Sequence, residues 1–154
     1  MDATIWNANW AWSLPLIVFT VMLHVTVLGF INARVVYALG RLKAHRNFML
    51  LFFVVMSLVT LLATLLHGLE AGIWAFAYHE LGALPDVKLA ILYSLSALTT
   101  YGHAELYLAR HWQLMGALEA LNGLLLFGLT TAFLYAHARR FWPLEGAEAP
   151  LPVR

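Results

Sequence analysis

Leu14 to Ala33 is a run of twenty residues without Asp, Glu, Lys or Arg, the length that an α-helix needs to cross a bilayer core. A second uncharged run, Phe48 to Leu69, is continued by the apolar but acid-punctuated Glu70 to Tyr78. A third lies between His111 and Ala138, where Glu119 is the only acidic or basic side chain other than histidine. With 62% of 154 residues hydrophobic and 11% charged, the chain lacks the polar side chains to cover such segments in water, where about 25% charged is usual. In lipid the backbone satisfies itself within a helix, so an all-α membrane protein with three transmembrane helices is expected.

Lys and Arg set the expected orientation. Arg34, Arg41, Lys43 and Arg46 lie between the first two spans, and Arg139 and Arg140 follow the third. Both clusters belong on the cytoplasmic side of the inner membrane, leaving the N-terminus outside with Trp6, Trp10 and Trp12 as interfacial anchors. No Lys or Arg precedes Arg34, so the first run lacks the charged n-region of a signal peptide and is expected to be a retained span. The absence of cysteine excludes disulfides, thiolate metal sites and cysteine nucleophiles. A net charge of +1 without a basic stripe argues against a nucleic-acid partner, leaving membrane lipid and further copies of the chain as partners. The tail from Pro143 has the composition of disordered chain.

The segment between the second and third runs is too polar for a span and too apolar for a free loop. Pro85 and Asp86 suit the first turn of a helix, and no proline or glycine interrupts Val87 to Leu98. Such a helix is only ~21 Å long, so it must end inside the membrane. Non-helical backbone at that depth is tolerated only in a protein interior or along a watery path. A short helix followed by TTYGHAE, residues 99–105, therefore points to a re-entrant pore loop whose helix C-terminus favours a cation.

These residues resemble the pore module of tetrameric potassium channels, in particular small bacterial proteins of the two-transmembrane ion-channel type. The resemblance covers about Phe48 to Ala138. LYSLSALTTYGHAEL stands where the family has a pore helix followed by a T-T-x-G-Y-G-D filter, and LEALNGLLLFGLTTAFLYA is similar to the family's inner helix. Thr99, Thr100, Gly102 and Glu105 fall on family positions, whereas Tyr101, His103 and Ala104 replace a small β-branched residue, a tyrosine and the second glycine. A one-residue shift that aligns Tyr101 and Gly102 with the family's Tyr-Gly loses the paired threonines, and the first register is preferred.

The resemblance implies a homotetramer whose cation filter is formed by Thr99, Thr100, Tyr101, Gly102, His103, Ala104 and Glu105, with monovalent cations, potassium and sodium, as permeant ions and no bound cofactor. Gly123 then takes the hinge position, and Leu124, Phe127, Thr131 and Tyr135 share the helix face that lines the cavity. Glu119 and Asn122 are expected to support the filter from behind, since an ionisable group within a span marks a functional place by default. Ala104 in a left-handed conformation costs ~1 kcal/mol or more, so potassium selectivity should be weakened. His103 at the outer mouth should make flux sensitive to acid. The expected organisation is an N-terminal segment with the first span and cytoplasmic loop (1–47), a pore module (48–140) and a tail (141–154).

Two alternatives stand beside the channel. In the first, the polar segment is a kink between helices of a non-conducting scaffold or regulatory subunit that retains the pore fold. His24 suggests haem, yet His24 lies ten residues in from Leu14 while His67 is near the end of its run, placing the rings at depths about 10 Å apart. His67 and Glu70, three apart on one helix face, are expected to form a local structural pair rather than a metal site. No arrangement of serine, histidine and carboxylate suggests hydrolysis, and the chain is not expected to be an enzyme.

Overall fold

The computed structural model describes residues 3–42, 46–102 and 105–141, which form helices and connecting loops. Helix α1 spans Ala3–Leu42, α2 Phe48–Glu80, α3 Val87–Leu98 and α4 Gln113–Phe141, with a 3₁₀ turn at Arg110–Trp112 leading into α4. Three of these helices are long and apolar enough to cross a membrane. The first starts well before the expected Leu14. Its extra turns carry Asn9 and Ser13, which are fully buried, so this segment is part of the bundle as well as a bearer of tryptophans. Pro15 lies within α1 without ending it, as membrane helices tolerate.

The bundle buries polar side chains among its apolar core and turns large apolar ones outward. Asn9, Thr20, His24, Glu70, Ser94 and Glu119 are completely inaccessible, whereas Phe19, Met22, Phe30, Leu58 and Leu65 are exposed by half or more. Outward-facing hydrocarbon of this kind is compatible with helices that cross a membrane.

Helices α1 and α4 run parallel, as three contacts in register show. Asn9 Nδ2 donates to the His111 carbonyl (2.6 Å) while its Oδ1 accepts from Met115 N–H (2.9 Å), meeting a donor at the start of α4 that has no partner within the helix. Further along, Asn122 Nδ2 donates to Thr20 (2.8 Å), and Thr130 Oγ1 meets His24 Nε2 (3.1 Å). Helix α2 is antiparallel to both. Its start packs Phe52 with Val35, Leu39 and Phe141, and its end packs Trp74 and Tyr78 with Trp112 and Met115.

Residues 81–86 connect the end of α2 to the start of α3. Asp86 is its N-cap, accepting from Leu89 N–H (3.0 Å), so Pro85 and Asp86 precede the helix instead of forming its first turn. The twelve residues of α3 cover about 18 Å. They pack between α2 and α4, with Ala71, Leu98 and Leu126 forming a small core midway along the bundle. The return segment closes the hairpin where it began, Ala109 N–H donating to the Ala83 carbonyl (3.1 Å).

Candidate functional site

The threonine segment starts as a helix stop. Thr100 N–H donates to the Ala97 carbonyl (2.9 Å) and Tyr101 N–H to the Ser96 carbonyl (2.9 Å), the bonding pattern of a Schellman motif. Helix α2 ends in the same way with Gly82 at the left-handed position, where φ of 63° is free of strain. In α3 that position is held by Thr100 at φ 57°, which costs a β-branched residue roughly 1–2 kcal/mol. Gly102 follows at φ 73°. Thr99, Thr100, Tyr101, Gly102 and Glu105 are all exposed on the single chain, while His103 and Ala104 lie outside the described residues.

Gly123 meets the end of α3 directly. A Cβ at this position would stand 2.0 Å from the Leu98 carbonyl oxygen, which is backbone and cannot swing aside. Close approach of α3 to α4 therefore accounts for a glycine here independently of any bending. Leu124, Thr131 and Tyr135 form an exposed stripe along α4, with Phe127 partly covered by the His67 ring stacked upon it (4.1 Å, 18°).

Glu119 joins three helices. Tyr78 of α2 donates to its Oε2 (2.6 Å), and its Oε1 bonds Ser94 of α3, which in turn donates to the Ala71 carbonyl (2.7 Å). One hydroxyl hydrogen on Ser94 cannot serve both acceptors. Every bond is made when Glu119 carries the proton and donates to Ser94. Glu119 thus contacts the helix before the threonine segment, and Asn122 turns to Thr20 of α1 instead.

A second buried cluster lies at the middle of the bundle. His24 Nδ1 is 2.8 Å from Glu70 Oε1, and His67 Nδ1 is 3.1 Å from Glu70 Oε2. Both rings end on the same hydroxyl, with Thr130 Oγ1 3.1 Å from His67 Nε2 and 3.1 Å from His24 Nε2. Four contacts close a ring and require four hydrogens: two on Nδ1 atoms, one on Thr130 and one on an Nε2. One imidazolium balances one carboxylate, so the closed ring is neutral.

The expected local pair of His67 and Glu70 is present, but the depth assigned to the histidines is corrected. The ring centroids of His24 and His67 are 5.2 Å apart. The ~10 Å difference holds only if the two helices end level, whereas α1 and α2 pack with an offset that sets His24 against Glu70 and His67. Haem gains nothing from this proximity, because both rings bind one carboxylate and one hydroxyl and leave no slot for a macrocycle between them. The pairing of residues 46 apart across α1 and α2 has no local signal in the sequence; the one hint was histidine within apolar runs.

No protein-family model matches this chain, and neither does any curated protein or any solved structure.

Proposed function

We propose that the chain is one subunit of a homotetrameric cation channel of the inner membrane, N-terminus outside and C-terminus cytoplasmic, with residues 99–105 of four copies around a common axis. The observation that carries this reading is the depth at which polar, non-helical backbone stands exposed. The end of α3 sits against Gly123, about 15 Å along α4 from Gln113, and Thr99 to Gly102 are uncovered there. When α4 crosses the membrane, that backbone lies within the hydrocarbon, where its N–H groups bond back to α3 but lipid offers no donor to its carbonyls. Cover must come from other copies and from water, and a re-entrant loop repeated around an axis supplies both. The uncovered stripe of Leu124, Phe127, Thr131 and Tyr135 then becomes the cavity wall, and the α3 C-terminus directs its negative pole at the axis. The permeant ions are potassium and sodium, weakly distinguished because His103 and Ala104 replace tyrosine and glycine. The reading contains no enzymatic step.

One observation favours a non-conducting scaffold with the same pore fold. The N–H groups of Thr100, Tyr101 and Gly102 all turn back to carbonyls of α3, so the segment begins as a closed cap rather than an extended row of carbonyls. Reconstitution in liposomes with flux measured in potassium and in sodium gradients decides between the two. Cation flux in both gradients is expected. Tight vesicles around an intact tetramer would establish the scaffold, and a monomer or dimer in mild detergent, seen by imaging, would defeat the assembly.

A further inference from the structure

We infer that His24, His67 and Glu70 form a binding site for one divalent transition-metal ion of the Zn²⁺ class, buried between α1 and α2. The three side chains each offer a ligand atom within 4.8 Å of the others, and all are buried. Two imidazoles and a carboxylate are a donor set for zinc and its neighbours, and a poor one for the hard cations Ca²⁺ and Mg²⁺. The distances also suit the exchange of protons for a cation. Bonds of about 2.0–2.1 Å in tetrahedral geometry set neighbouring ligand atoms about 3.3 Å apart. The two Nδ1 atoms flank the carboxylate at 2.8 and 3.1 Å, one on each oxygen, so an ion that replaces the protons draws all three side chains onto one centre.

The outer shell is in place as well. Metal-bound imidazoles are held by a hydrogen bond from the other ring nitrogen, and here both Nε2 atoms reach Thr130 on α4. The proton balance is explicit: the neutral ring gives up both Nδ1 hydrogens, one of them moves to the remaining bare Nε2, and one proton leaves per ion bound. Entry of the ion is assigned to the side of His67, which borders a groove of about 270 Å³ between Thr64, Gly68, Thr99 and Phe127. The inference does not depend on conduction.

The test uses the full chain without a histidine tag, stripped with chelator in detergent and titrated with Co²⁺. One Co²⁺ per chain with the strong ligand-field bands of a low-coordinate site is expected, displaced by Zn²⁺ with a rise in melting temperature and release of about one proton per ion. Glu70→Gln keeps every hydrogen bond of the ring with both imidazoles neutral, and should fold yet lose the bands. Thr130→Val should weaken binding by roughly tenfold to a hundredfold, whereas Glu119→Gln should bind as the parent does. A parent protein that shows no bands and keeps no metal through gel filtration would overturn the site. Undiminished binding in Glu70→Gln would do the same, and neither result bears on the flux experiment.

Discussion

His24 on α1 and Glu70 on α2 meet at 2.8 Å with both side chains fully inaccessible, and through them two membrane-length helices share one charge-balanced ring with His67 and Thr130. Removing the carboxylate leaves two buried imidazoles without an acceptor. Glu70→Ala should therefore destabilise the folded protein by about 3 kcal/mol or more, read from thermal unfolding in detergent. Glu70→Gln re-closes the ring without charge and should stay within about 1 kcal/mol of the parent. Equal losses in the two variants would show that the hydrogen count is mistaken.

Glu119 offers a parallel case with a different partner set. If it holds a proton, Gln reproduces the acid by donating to Ser94 and accepting from Tyr78. Glu119→Gln should be nearly neutral, and Glu119→Ala should lose about 1–3 kcal/mol by orphaning the buried Tyr78 hydroxyl and removing the contact with Ser94. Because both hydroxyls act through one carboxyl group, Tyr78→Phe and Ser94→Ala should be non-additive by about 0.5 kcal/mol or more. Strict additivity in a double-mutant cycle would count against the shared contact.

At Gly123 the test is steric. The Cβ of Gly123→Ala would meet the Leu98 carbonyl at 2.0 Å, so α3 must move away from α4 at a cost of about 1–3 kcal/mol. The control is Gly29→Ala, in a helix and with nothing within 4 Å, which should be neutral or stabilising by up to ~1 kcal/mol. Melting temperatures of the two variants that move together would remove the packing argument.

The stripe on α4 is open to chemical mapping, since the chain has no cysteine of its own. In the proposed channel, Thr131→Cys and Tyr135→Cys face water and should react in vesicles with a small charged thiol reagent. Leu65→Cys, exposed on α2 and turned to lipid in that arrangement, should react far more slowly. Equal protection of all three positions would mean that the stripe does not line a wet cavity.

Much of the architecture was legible because hydropathy acts residue by residue. Three uncharged runs, and a proline-aspartate start followed by twelve uninterrupted residues, announced four helices in the right order. The start of α1 escapes a hydropathy reading because tertiary hydrogen bonds of the buried Asn9 to the start of α4 hold the turns before Leu14. Glu119 stood out as the one ionised type in its span, but only the packing of α2 and α3 against α4 supplied Tyr78 and Ser94 as its partners. The buried ring was the least legible feature of all. His24, Glu70 and Thr130 are brought together by the parallel run of α1 with α4 and by the offset at which α2 packs against them. Where two helices lie in register is set by packing along their whole lengths, which no local spacing in the chain encodes.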